Sequence, residues 1–386
     1  MERDELRAWL RLTLAPGVGN ATGRKLLAAF GSAQAIFEQS ESALRQLGTE
    51  KLSAALRAEP ATLAALLEAT LAWLQAGEDR CVVTLGDAGY PLSLLDIEDP
   101  PLMLYMLGAL SPRVQAATKT IAVQADLRLA IVGSRNPTPQ GEINAREFAK
   151  SLASSGLCIV SGLALGVDGA AHEGALLGGG NTIAVVGTGL DRVYPKKHLD
   201  LVHRIARQGM VISEFPIGTP PINSNFPKRN RIISGLSRGV LVIEAALKSG
   251  SLITARLSSE QGKDVFAIPG SIHSPQSRGC HWLIKQGAKL VETAQDVLEE
   301  LNIPGLTAAA EADDRSDTAG DEKTGGDPAE GDSLTAALGF DIVSLDALQA
   351  RTGMATPELQ ARLLELELAG VVSRLPGGLF QRMARG

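Results

Sequence analysis

From about residue 127 to residue 300 the chain alternates short β-branched runs with helical stretches of ten to fifteen residues. The runs are LAIV (129–132), LCIVS (157–161), TIAVVG (182–187), MVISE (210–214), VLVIE (240–244) and VFAIP (265–269), with KLVE (289–292) as a candidate seventh. Few architectures accept this pattern. Strands so continuously apolar are buried on both faces, so helices must cover both sides of the sheet they form. The expected class is α/β, with a Rossmann-like, doubly wound, mainly parallel sheet over 127–302. A composition with 41 glycines and only 4% aromatics suits helices and Gly-rich βα turns better than a β-sandwich.

The flanks read differently. Residues 1–75 carry helical periodicity, beginning with Leu6, Trp9, Leu10, Leu12 and Leu14. They predict a small all-helical domain of SAM or helix-hairpin-helix type. Its turn Pro16-Gly17-Val18-Gly19 is open to two readings, a plain turn in a bundle or a hairpin that brings backbone N–H groups to a DNA phosphate. Residues 76–126 have strand-like pieces and Pro-rich turns, an added sheet edge or a connecting subdomain. Residues 303–333 form an acidic linker expected to be disordered. The tail, 334–386, reads as three helical stretches and two short β-runs around Pro-Gly-Gly, a winged-helix pattern. Its recognition-position helix, TPELQARLLELELAG, is acid-rich with Arg362 as its base, which favours protein contact or a structural role over DNA.

Charge is unevenly placed. Residues 308–333 hold nine acids and two bases, a net of -7, whereas residues 192–238 hold nine Lys/Arg against Asp200 and Glu214, a net of +7. The overall -6 therefore hides a basic middle segment. Cys81, Cys158 and Cys280 stand far apart without a C-x-x-C pair, so neither a zinc site nor a disulfide framework is expected. The charged N-terminus and the lack of a long apolar run predict a soluble, cytoplasmic protein without a membrane span.

In an open α/β sheet, ligands bind beyond the carboxyl ends of the strands. The first such loop, Gly133-Ser134-Arg135-Asn136-Pro137-Thr138, matches neither G-x-G-x-x-G nor a P-loop, so no dinucleotide or nucleoside triphosphate cofactor is expected. Gly permits close backbone approach there, and Arg135 can fork onto a phosphate. The second loop holds Gly162 for a tight turn and Asp168 as a helix cap, with His172 as a hydrogen-bonded structural residue. Tyr194-Pro195-Lys196-Lys197 follows the third run, and Phe226-Pro227-Lys228-Arg229-Asn230-Arg231 the fourth. Lys228 and Arg231, three apart, share one side of a helix, with Phe226 as a base-stacking platform. Ser249-Gly250-Ser251 and Thr254 after the fifth run offer hydroxyls and free N–H groups as an anion-binding nest. So much anion capacity suits a polyanion tracked across the sheet edge.

Read together, IVGSRNPTPQG, IVSGLALGVDGAAHEGAL, TIAVVGTGLDRVYPKKH, FPKRNRIISGLSRGVLVIEA and SGSLITARLSSEQGKDVFAIPG resemble the DprA/Smf family of DNA-processing proteins. The resemblance covers most of residues 129–288 in the family's order. It implies a non-catalytic protein that binds single-stranded DNA without sequence preference, protects incoming strands during natural transformation, and loads RecA recombinase, displacing or working beside single-strand-binding protein. It also implies a homodimer formed through the Rossmann-like domain. Carried over, the DNA pocket takes Gly133, Ser134, Arg135, Lys196, Phe226, Lys228, Arg229, Asn230 and Arg231. Gly162 joins this set, and Ser249, Gly250, Ser251 and Thr254 come from the loop chemistry above. The competing reading is a Rossmann-like nucleotide-phosphate hydrolase with Glu244 as base, or with Asp168, Asp191, Glu214 and Glu244 converging on Mg²⁺.

Overall fold

A computed structural model describes residues 1–118, 127–303, 333–339 and 342–383. Each apolar run of the middle segment becomes a strand: β3 (Arg128–Val132), β4 (Cys158–Ser161), β5 (Thr182–Val186), β6 (Met210–Ser213), β7 (Gly239–Val242), β8 (Asp264–Ala267) and the short β9 (Lys289–Leu290). Two earlier strands, β1 (Arg80–Thr84) and β2 (Met103–Leu107), complete a nine-stranded sheet in the order β1-β2-β6-β5-β4-β3-β7-β8-β9. β3 to β9 pair in parallel, and β1 and β2 join antiparallel beside β6. Residues 80–107 thus supply an added edge, the first of the two alternatives read from the sequence.

Period-2 alternation sends successive side chains to opposite faces. Ala130, Val132, Cys158 and Val160 enter one core layer, and Leu129, Ile131 and Ile159 the other. Helices cover both layers. α8 (Pro139–Ser154), α9 (Val167–Leu177) and α14 (Ala294–Leu301) lie on the second, while α11 (Asn225–Leu236), α12 (Ser251–Glu260) and α13 (Arg278–Lys285) lie on the first. α7 (Pro112–Thr118) precedes the sheet's centre, and α10 (Leu199–Gln208) packs over β5 and β6. This is a doubly wound arrangement. Strand order reverses between β3 and β7, which opens a crevice at their carboxyl ends.

The N-terminal segment folds as α1 (Arg3–Leu14), α2 (Asn20–Phe30), α3 (Ala33–Phe37), α4 (Glu41–Leu47), α5 (Glu50–Arg57) and α6 (Leu63–Gln75). Ser32, Ser40 and Thr49 cap α3, α4 and α5 by accepting a backbone N–H from Ala35, Ala43 and Leu52. Leu6, Trp9, Leu10 and Leu12 form its core, which continues into Leu102, Met103 and Tyr105 at β2. The helical segment is therefore anchored on the sheet's added edge.

The acidic segment of the sequence lies outside the described residues, apart from its two ends. Beyond it, α15 (Ser333–Leu338), α16 (Leu345–Thr352) and α17 (Thr356–Leu368) pack against a small antiparallel sheet. Its strands β10 (Val343–Ser344), β11 (Val372–Leu375) and β12 (Leu379–Arg382) run in the order β10-β12-β11, the winged-helix pattern. Gly377 and Gly378, at φ +86° and +72°, make the wing's turn in a region where a side chain is strained. Among the described residues, no helix is long and apolar enough to cross a membrane.

Candidate nucleic-acid interface

The crevice at the reversal point is a cleft of about 510 Å³. Three of the predicted loops converge on it. Gly133, Ser134 and Arg135 follow β3, Phe226, Arg229 and Asn230 come from α11, and Ser249, Gly250, Ser251 and Thr254 lead into α12. Arg135 is exposed, with its guanidinium 5.6 Å from the centre of the Phe226 ring. Phe226 in turn stacks against Tyr194, 5.6 Å away with the rings tilted by 36°. A cation over one side of an aromatic ladder offers a phosphate contact beside a surface for a base.

Arg229 plays a different part from Arg135. It is only 4% exposed and forms the floor of the cleft. Its Nη1 donates to the Val185 carbonyl at 2.7 Å, and its Nη2 faces Asp168 at 3.9 Å. Burial draws the guanidinium down to about 10, opposed by Asp168, so it stays cationic at neutral pH. Burial pushes the Asp168 carboxyl up, again opposed by its partner. Gly162 exists to admit this group, since a Cβ there would stand 1.7 Å from Arg229 Nη1. The glycine shapes the floor and carries no ligand donor of its own beyond the backbone.

Several expected roles change. Asp168 does not cap α9. It sits within the first turn and accepts the Ala164 N–H at 3.3 Å, closing the preceding loop. The first-turn N–H groups of α12 are not free either. Ser251 donates to Ser249 Oγ, Leu252 to the Ser249 carbonyl and Ile253 to the Gly250 carbonyl. What the cleft receives from this loop is the Ser and Thr hydroxyls, with Asn230 holding the Gly250 carbonyl at 3.2 Å. Lys196 lies exposed in a short turn (Lys196–His198) and is outside the cleft lining.

The largest departure concerns Lys228 and Arg231. They do share a side of α11, but that side lines a second pocket of about 440 Å³ between α2 and the edge of the sheet. There Arg231 Nη2 donates to Glu214 at 2.5 Å, and its Nε lies 3.3 Å from Asp99. Asn20 donates to both carboxylates at 2.9 Å, and Arg24 reaches Asp99 at 3.3 Å. The start of α2 thus faces two carboxylates, and a phosphate brought to the turn at 16–19 would meet their charge. Within the turn Val18 packs on the helical core, while Pro16, Gly17 and Gly19 are exposed.

Glu244 is committed as well. Its Oε2 accepts the Thr138 N–H at 2.9 Å and its Oε1 the Thr138 hydroxyl at 2.6 Å, while Thr138 Oγ1 accepts the Gly141 N–H and caps α8. Burial raises its carboxyl. It is not part of the cleft lining, where a base would have to stand. Asp191 accepts the Gly218 N–H and pairs with Arg192. The four carboxylates of the hydrolase reading serve four separate places, and no metal-holding cluster occurs among the described residues. His172 is the hydrogen-bonded core residue expected: Thr182 Oγ1 donates to the Ile159 carbonyl, so His172 Nδ1 donates to Thr182 at 2.7 Å.

Sequence reading missed Lys248, Asn136 and Gln276, which also line the cleft. Lys248 immediately precedes Ser249 and was findable from its position alone. Gln276 was not, because it arrives from the loop after β8 and bonds the Asn136 carbonyl 140 positions away at 2.9 Å.

Comparison with known proteins gives a consistent picture. A family described as DNA recombination-mediator protein A matches residues 81–302, and one described as DprA winged helix domain matches residues 317–378. Protein Smf of Escherichia coli (strain K12) is 42% identical over 320 residues, 83% of this chain and 81% of that one. DNA processing protein DprA of Streptococcus pneumoniae (strain ATCC BAA-255 / R6) is 47% identical over 214 residues, 55% of this chain and 72% of that one. The X-ray structure of DprA from Streptococcus pneumoniae aligns with a TM-score of 0.59 at 36% identity, covering 78% of this chain and 98% of that chain.

Proposed function

The chain belongs to the DNA recombination-mediator protein A family, whose members include proteins named DprA and Smf, and from that premise we propose that it binds single-stranded DNA in the β3/β7 cleft without sequence preference. The observation that carries this reading is the convergence of Arg135, Phe226 and Lys248 with the Ser249, Ser251 and Thr254 hydroxyls on one cleft. These groups recognise a phosphate and a π-face, which every nucleotide has, and none of them aims a paired donor and acceptor at a base edge. In this reading the protein is a non-catalytic cytoplasmic mediator. It shields incoming strands and passes them to RecA recombinase beside single-strand-binding protein, acting as a homodimer. Leu290, 50% exposed on the edge strand β9, and Trp282, 43% exposed in a groove with Leu252 and Ile253 of α12, supply apolar surface for a second copy. The hydrolase reading loses support because both Glu244 oxygens are bonded to Thr138, the residue that caps α8.

The test is a fluorescence-anisotropy titration of labelled oligo-dT and a matching duplex at two salt concentrations, with the wild type and Arg135→Ala. Salt-sensitive, single-strand-preferring binding that falls about tenfold or more in the variant is expected, since a charge-assisted bond contributes roughly 1.5–3 kcal/mol. Equal affinity of the variant would remove the cleft from the reading. Product release from a nucleotide panel, abolished by Glu244→Gln, would restore the hydrolase.

A further inference from the structure

The winged-helix unit presents one helix face that its own core does not use. Leu359 and Leu363 of α17 enter that core with Leu348, Val372 and Phe380, and Leu366 packs beside them. Leu364 and Leu368, one turn apart, stand 55% and 82% exposed. With Pro357 and Ala361, also exposed, they make a stripe at i, i+4, i+7 and i+11 on the side away from the core. Helical spacing places Glu358 and Glu365 along one edge of the stripe and Glu367 along the other. The helix's cation, Arg362, pairs with Glu365 at 2.8 Å. A scattered exposed leucine is ordinary, but an apolar stripe with acids on both edges has the anchors of a helix that lies in a groove. DNA phosphates would be repelled by it.

The mouth of the cleft has the complementary chemistry. Arg135 and Lys248 are exposed there. Leu165, Tyr194 and Leu247, 40%, 48% and 56% exposed, adjoin cleft-lining residues or stack on one. Residues 304–332 join Ile303 to the unit that starts at Ser333, and a chain of that length can span up to roughly 100 Å when extended. Reach within one molecule is therefore not limiting.

We infer that the acidic, leucine-bearing face of α17 docks on the basic, apolar mouth of this chain's own cleft and competes there with single-stranded DNA. The inference rests on the cleft being the DNA site. The carboxylates answer the same cations that phosphates do, and the leucines cover apolar side chains that bases would otherwise stack on. DNA binding then releases α17, which makes the winged helix an internal brake.

The experiment is an oligo-dT titration at fixed moderate salt with the full chain as wild type, Leu364→Ala/Leu368→Ala, Glu358→Gln/Glu365→Gln/Glu367→Gln and Arg135→Ala, together with hydrogen exchange of α17 with and without saturating oligo-dT. The leucine variant changes no charge, and both α17 variants alter exposed side chains, so folding is preserved. Each α17 variant should bind oligo-dT about three- to tenfold more tightly than wild type, and α17 exchange should rise when DNA is added. Wild-type affinity in both α17 variants, with α17 exchange indifferent to DNA and Arg135→Ala still weak, would overturn the brake and leave the cleft. Undiminished binding by Arg135→Ala would overturn the cleft and the brake with it.

Discussion

The two sides of α11 place the same residue types in opposite employment. Toward the cleft, Arg135 faces solvent over Phe226, and Arg229 supports the floor from below. Across the helix, two residues further on, Arg231 is held by Glu214 and Asp99 and ties the helical N-terminal segment to the sheet edge with Asn20 and Arg24. Local basicity therefore says little about ligand contact. What matters is whether a carboxylate already answers the charge, and that is decided by which face of the helix a residue occupies.

The comparison can be broken at four points. The largest effect is expected at Arg229→Ala, which leaves Asp168 buried without its facing cation and should cost about 3–5 kcal/mol of stability by denaturant unfolding. Stability within 1 kcal/mol of wild type would show that the floor does not depend on this pair. Next is Phe226→Ala, for which oligo-dT affinity should drop about five- to a hundredfold, the worth of one base stack at roughly 1–3 kcal/mol, with the melting temperature little changed. Third, Arg231→Ala should do the reverse. It removes a partner from Glu214 and Asp99 and should lower stability by about 1–2 kcal/mol while oligo-dT affinity stays within twofold. A strong loss of affinity with normal stability would move Arg231 to the cleft side of the comparison.

The fourth effect, comparable in size to the third, separates both regions from the core beneath them. Burial pulls His172 down to about 3, well below its free value, so the folded protein holds it neutral where the unfolded chain would bind a proton. A depressed histidine contributes stability that is full above the unfolded pKa near 6.5 and is lost as pH falls toward 3. Each pH unit below about 6.5 should cost close to 1.4 kcal/mol from this group alone. Unfolding midpoints measured between pH 7 and pH 5 in wild type and His172→Gln would reveal it, as a shallower pH slope in the variant.

Much of this was legible in the chain itself. The six apolar runs became strands, because a segment buried on both faces admits no polar alternation to confuse its reading, and the shorter seventh became the exposed edge strand β9. The loops after β3 and β7 were recognisable for a related reason, since strand ends and Gly-Ser-rich turns fix where a crevice must open. Arg231 was misread because its spacing from Lys228 predicts a shared face, correctly, but cannot name what the face meets. Asp99 and Asn20 come from segments more than a hundred positions away, and no local pattern announces them. Glu244 and Gly162 were misread alike, as a base and as a DNA contact, where one is bonded to Thr138 and the other makes room for a guanidinium.

The sequence by itself determined the parallel sheet, the flanking helical and winged-helix units, and the loops that meet at the cleft. These follow from periodicity and turn chemistry, which act over a few residues. Only the tertiary structure decided which cations remain available to a ligand, because a charge is cancelled by whatever carboxylate folding brings within a few ångströms, and that neighbour is chosen by the packing of distant segments.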